Sequence, residues 1–561
     1  MKRLQRYRGL WLLVGLLGFT AVACQLGNIG QSDGSTNNTV EIPSDATVVS
    51  LVANNSLVPW LEQAAADFNA TKTETAVGQP IFVTVQGQES GDFIADVTDT
   101  AVSLPTLWLP DSPVWTNILA DQGNDAFQGS CVSVAQSPLV IGVWRPAAES
   151  LGWPSYALGW LDFGSLAQDP AAWNYYSGGE YGESLRLSHT HPGLSGAGAS
   201  TLLALVQSAE RQTEAVSVDE INLPIVQASV GAFESAVAYF ASHPYTLAQT
   251  MKERGPGYLG AAVMYESDAV SGGQGEIVPI YPLEGTFVAT HPAGINRPAE
   301  AAEQEAAGLF GQYLLSDGGQ ATAVPPALRP VNANVTVGAP LTAENGVDLT
   351  QPATIFGEPG VDAIYAIQEL WQNARKDVNL VMLLDTSGSM RGSKMESMRE
   401  AAVQFVEQMG NEDRLTIISF NTEPFLLIEG VQVGPARTKL TDAIRELEAS
   451  GDTTLFDAIG DGATSIERTN DPAMTNALVV LSDGQDTRSY RYRFDQDLID
   501  YATGNNTTIF TIAYGDDADQ GVLEQLAVSG NGNFYRGDEA SIAAIYEEMS
   551  AAFGGSVGVG R

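Results

Sequence analysis

Apolar and polar positions alternate along this chain in two separate stretches. From residue 46 to about 335, short apolar runs trade places with segments of helical spacing. Residues 47–52, 81–85, 106–109, 139–144, 185–188, 261–265 and 277–281 have the β-branched and aliphatic density of strands. Between the first two runs, Leu57, Trp60, Leu61, Ala64, Ala65 and Phe68 recur three or four residues apart. That spacing puts them on one helix face, with Asn55 or Ser56 as the cap. The rhythm returns over residues 377–553. Runs at 381–384, 415–420, 477–481 and 508–513 are mostly apolar, as strands buried on both faces of a parallel sheet must be. Met398, Ala402, Phe405, Val406 and Met409 mark one helix face, and Ile542, Ile545, Tyr546, Met549 and Phe553 mark a closing helix. Both stretches therefore predict α/β layers, the second a doubly wound, mostly parallel sheet.

With 561 residues the chain exceeds a single core, and two or three domains are expected. Between the two stretches, residues 336–376 carry Pro340, Pro352 and Pro359 and predict an extended connector. Its last part, 362–374, has helical spacing and can pack on either neighbour. Ahead of the first stretch, Lys2, Arg3, Arg6 and Arg8 precede an apolar segment at 9–22 that is too short to span a bilayer comfortably. Residues 1–23 thus predict an export signal. The Gly-, Asn- and Ser-rich residues 24–45 predict a flexible tether, and 554–561 a short tail.

Composition narrows the partners. The formal charge is −40, from 27 Lys+Arg against 67 Asp+Glu. Nucleic acid is disfavoured, since phosphate contacts need clustered cations. Of the two cysteines, Cys24 follows Ala21-Val22-Ala23. That segment resembles a bacterial lipoprotein lipobox, with Ala21 where Leu is commoner. The resemblance implies cleavage before Cys24 and a lipid on it, anchoring the chain to the cell membrane on the extracytoplasmic side. An ordinary secretory signal is the alternative. Cys131 then has no disulfide partner in the chain and reads as a small buried hydrophobe.

The most specific chemistry follows the run at 381–384. Asp385-Thr386-Ser387-Gly388-Ser389 sets an acid and two hydroxyls at alternate positions, with Gly388 allowing a tight turn. Hard oxygen donors gathered at a strand end suit a small hard cation such as Mg²⁺. Thr453 opens a turn into a helix, and Asp483 ends the strand run at 477–481. Together these residues resemble the von Willebrand factor A domain and its metal-ion-dependent adhesion site. That resemblance implies direct metal contacts from Ser387, Ser389 and Thr453, and contacts often through water from Asp385 and Asp483. It also implies Mg²⁺, or Mn²⁺ or Ca²⁺, with a vacant coordination position completed by an acidic residue of a protein partner.

Several segments of the first stretch resemble extracellular solute-binding proteins of the two-lobed type 2 periplasmic fold. These are residues 137–143, His191-Pro192-Gly193-Leu194-Ser195-Gly196-Ala197-Gly198, residues 310–320, and Leu328-Arg329-Pro330-Val331. The resemblance implies a ligand in a cleft between lobes, with Ser56, Ser137, Ser195 and Tyr265 as candidate contacts. Hydroxyls and helix N-termini would suit a small polar or anionic molecule. His189 and His191 lack a third metal ligand and read as loop histidines.

The expected function is therefore that of a surface-anchored binding protein. An ABC-transporter substrate-binding receptor, docked in the envelope by its A-type domain, is the alternative. No nucleophile–base arrangement is evident. Gly193-Leu194-Ser195-Gly196-Ala197 lacks the final glycine of a nucleophile elbow, and catalysis is not expected.

Overall fold

The computed structural model describes residues 42–99, 102–129, 131–182, 184–556 and 558–559. The signal, Cys24 and most of the tether lie outside the described residues. Among the described residues no helix is long and apolar enough to cross a membrane.

The first half is mixed α/β in two lobes. Its strands in chain order are β1 (Thr47–Ala53), β2 (Ile81–Gly87), β3 (Leu107–Leu109), β4 (Val132–Ser133), β5 (Ala135–Trp144), β6 (Leu187–Thr190), β7 (Val237–Ala241), β8 (Ala261–Tyr265), β9 (Ile277–Ile280), β10 (Val288–Ala289), β11 (Pro292–Ile295) and β12 (Arg329–Pro330). Lobe one is a sheet ordered β2-β1-β3-β11-β4; lobe two is ordered β10-β5-β8-β6-β7, with β9 and β12 also paired to β5. The chain passes between lobes from β4 to β5, from β10 to β11 and again from β11 to β12, so these crossings form the hinge. Asn54 caps the first helical turn, accepting from Ser56 N, one position earlier than the pattern predicts. The helix that follows, Val58–Ala70, buries Trp60, Leu61, Ala64, Ala65 and Phe68 as the spacing requires. Phe68 packs edge-on against Phe310 of the Ala301–Leu315 helix, with ring centres 5.2 Å apart.

Cys131 departs from its expected place. It is half-buried and lines a surface groove of about 320 Å³ with Leu107, Phe127 and Leu315. The run around it is cut short because β4 holds only two residues at a sheet edge.

The second half is a sheet ordered β15-β14-β13-β16-β17-β18. Its strands are β13 (Val378–Asp385), β14 (Arg414–Phe420), β15 (Pro424–Gln432), β16 (Thr475–Ser482), β17 (Thr508–Tyr514) and β18 (Asn531–Gly537). Every neighbour pair is parallel except β14–β15. All eight residues of β13 are buried, because helices cover both faces. One apolar layer sets Met382 and Leu384 against Met398, Phe405 and Tyr546; the other sets Val381 and Leu383 against Leu455, Ile459 and Leu498.

The connector packs on the first half. Its helix, Val361–Ala374, places Ile364, Ile367, Leu370 and Trp371 in one core with Leu202, Phe233 and Phe240. Just beyond it, Arg375 and Asp413 form an ion pair at 3.2 Å, each side chain 2 % exposed.

Candidate metal centre and interlobe cleft

Register brings the metal candidates together. Asp385 ends β13 beside Phe420 of β14, and Leu384 pairs with Leu481 of β16, so Asp385 and Asp483 emerge at adjacent strand ends. Both are completely buried, and Ser387 and Thr453 nearly so, whereas Ser389 is exposed. Asp385 is fixed from two sides: Ser387 N donates to Oδ1 at 2.8 Å and Ser482 Oγ to Oδ2 at 2.7 Å. Ser387 Oγ lies 2.9 Å from Ser389 Oγ, and Ser389 Oγ donates to Asp483 Oδ1 at 2.7 Å. Thr453 reaches the same place. A Cβ on Gly484 would lie 3.8 Å from Thr453 Oγ1 and 4.0 Å from Ser389 Oγ.

The Thr453 turn is locked to the Asp385 loop. Gly388 N donates to Gly451 O at 3.1 Å and Ser450 N to Thr386 O at 2.8 Å. Gly451 sits at φ +82°, and a Cβ there would lie 2.3 Å from Thr422 Oγ1, so this corner demands glycine. Burial pushes the Asp385 carboxyl up to about 6, with the Asp483 charge adding to it. Lys394 donates from Nζ to Asp483 Oδ2 at 2.8 Å.

Two carboxylates and three hydroxyls thus gather in one crevice, and an ammonium already rests on one of the acids. The five oxygens fit a hard divalent ion, which would supply an electrophilic centre able to take a carboxylate from outside. Lys394 escaped the sequence reading because it sits one helical turn past the motif, where a lysine looks like ordinary surface charge.

The four cleft candidates are all buried, and three of them meet acids. Ser56 Oγ donates to Asp268 Oδ2 at 2.8 Å, and Ser137 Oγ to Ser267 Oγ at 3.1 Å. Tyr265 Oη donates to Asp111 Oδ2 at 2.7 Å, and Ser195 Oγ lies beside the Glu89 carboxylate. Glu89 is held by Asn54 and Asn55 at 2.9 and 3.1 Å. Burial, then the Asp111 charge, pushes Glu89 up to about 8; burial pushes Asp268 up to about 7 and raises Asp111. The hydroxyl pattern gave no sign of this acidic lining. In a chain with 67 acids, three buried ones do not stand out.

Arg329, of the closing turn, holds Glu266 through Nε at 2.7 Å and so anchors the helix Glu266–Gly273 below Tyr265. His189 and His191 serve the packing. His189 Nε2 meets Glu234 Oε1 at 2.9 Å. His191 Nδ1 accepts from Gly193 N at 3.0 Å, which leaves Nε2 to donate to Gly555 O at 2.8 Å.

A crevice of oxygens on a doubly wound sheet, joined to a hinged two-lobed domain, defines a two-module chain of the binding and interaction type. Residues 379–548 match the family model of the von Willebrand factor type A domain, and residues 49–324 match that of a bacterial extracellular solute-binding protein. The chain is similar to the uncharacterised protein sll0103 of Synechocystis sp., 30% identical over 161 residues, covering 28% of this chain and 37% of that one. It is also similar to inter-alpha-trypsin inhibitor heavy chain H4 of Sus scrofa, 26% identical over 206 residues, covering 35% of this chain and 21% of that one. The chain thus spans well under half the length of these relatives. Among solved structures, a periplasmic thiamin binding protein aligns at 13% identity with a TM-score of 0.42, covering 59% of this chain and 96% of that one.

Proposed function

We propose that this is a binding protein of the bacterial envelope, held to the extracytoplasmic face of the membrane through a lipid on Cys24. Its A-type domain recruits a protein partner through a divalent ion, Mg²⁺ in the first instance. Asp385, Ser387, Ser389, Thr453 and Asp483 hold the ion, and an acidic side chain of the partner completes it. The observation that carries the reading is the hydrogen-bonded run Ser387–Ser389–Asp483–Lys394, which gathers donors from separate segments around one exposed mouth. The two-lobed domain serves as a recognition head. A transport receptor would need room for a solute at Ser56, Ser137, Ser195 and Tyr265. The cavity between the lobes at Tyr265 measures about 20 Å³, space for about one water, and this favours the head.

Thermal unfolding of the full chain tests the metal reading. Mg²⁺ at about one hundred times its Kd should add roughly 2.7 kcal/mol to the A-type domain and raise its Tm. The Asp385→Ala chain should show no such rise; an equal rise in that variant would refute the site.

A further inference from the structure

The cleft holds a carboxyl side chain where an outside ligand would have to sit. Asp111 follows β3 in lobe one and is 1 % exposed. Ser90 Oγ, also of lobe one, donates to its Oδ1 at 2.8 Å, and Tyr265 Oη of lobe two donates to its Oδ2 at 2.7 Å. Its backbone oxygen accepts from Thr290 N and His291 N, at 3.0 and 3.2 Å, on the hinge crossing. The carboxylate presses on the first residue of the fifteen-residue helix Gly196–Glu210: a Cβ on Gly196 would lie 1.9 Å from Asp111 Oδ2. That helix start has no side-chain cap, since Ser195 makes no capping bond and its Oγ, fully buried, has no well-formed partner. A helix start of this kind attracts an anion.

The mouth is covered as well. Phe356 N donates to Thr286 O at 2.9 Å and Thr286 N to Thr354 O at 3.1 Å, which ties the connector to lobe two. The Phe356 ring packs edge-on against Phe287, and Gly357 N donates to Thr213 O at 2.7 Å. Glu358 and Pro359 then line the residual cavity with Asp111, Gly196 and Tyr265, and no Lys or Arg lines it.

We propose that Asp111 is a built-in occupant of the interlobe cleft. Its carboxylate takes the place of an anionic ligand at the start of the Gly196–Glu210 helix and latches the lobes shut, with residues 354–359 strapped across the mouth. The domain therefore rejects anions, and its solute-binding form has become a self-closed head. This goes beyond the metal reading and stands without it.

Inorganic sulfate is the probe, applied to the full chain without divalent metal. Wild type should show no change in Tm up to tens of millimolar sulfate. Asp111→Ala should gain a rise of at least about 2 °C, as the emptied helix start takes the anion. Sulfate stabilising wild type, or a folded Asp111→Ala chain gaining nothing, would overturn the proposal. If Asp111→Ala does not fold, Gly196→Ala gives the answer in its own right: its methyl should force the carboxylate away and open the lobes. Small-angle scattering should then show a larger radius of gyration and proteolysis faster cleavage near residues 354–359; an unchanged radius and unchanged cleavage would overturn the latch.

Discussion

Lys394 shows how a single side chain can set the behaviour of the candidate metal site. Its side chain is 24 % exposed and its ammonium rests on a completely buried carboxylate, so it neutralises Asp483 and competes with any cation that arrives. Lys394→Met keeps most of the apolar stem and removes the charge. Mg²⁺ affinity should rise by about tenfold, ~1.4 kcal/mol, in a calorimetric titration. A fall would mean that the lysine helps to build the site. The loop that gathers Asp385, Ser387 and Ser389 was readable because its spacing is a local rule, acid and hydroxyls at alternate positions after an apolar strand, whereas Thr453 and Asp483 entered only through the family resemblance. The lysine and the cleft acids Glu89, Asp111 and Asp268 follow no such rule. They meet only through the tertiary fold, and a buried acid has the same letter as a solvated one.

At the scale of elements, apolar density carried the reading where strands are buried and failed where they are not. The run at 381–384 lies inside β13, and the run at 415–420 inside β14. β15 was missed: it is an edge strand whose Phe425, Leu426 and Leu427 are each at least 40 % exposed, so its pattern has no inward face to read. The connector helix was foreseen to within one residue, but its choice of neighbour was not, because an amphipathic stripe does not name its bed. The joint after that helix is held by Arg375, which reaches Asp413 from both terminal nitrogens at 3.2 Å, while Val378 N and Gly410 N donate to the same carboxylate at 2.9 and 2.7 Å. Arg375→Met would leave Asp413 buried without its counter-charge. Urea unfolding should lose about 3 kcal/mol or more. A loss below about 1 kcal/mol would mean that the two backbone amides alone satisfy the acid.

Over the whole molecule, the closed cleft makes stability depend on pH. Glu89 and Asp268 have folded pKa values raised above their ordinary ones, to about 8 and about 7. Groups raised in this way give their full contribution below the unfolded value and lose it as pH rises through the folded one. Metal-free protein should therefore melt progressively lower as pH rises from about 5 to about 8.5. Glu89→Gln should flatten much of that slope in a series of melts. An identical slope in the variant would assign the dependence to other carboxyls.

The shared core of Trp371, Phe240 and Leu202 also decides where the chain can be divided. A cut before residue 361 would send the greasy stripe of the Val361–Ala374 helix away with the wrong half, leaving one piece with a bare trough and the other with a sticky handle. The seam lies between Ala374 and Arg375, whose guanidinium belongs with Asp413 of the second half. Fragments meant to behave in solution should part company there.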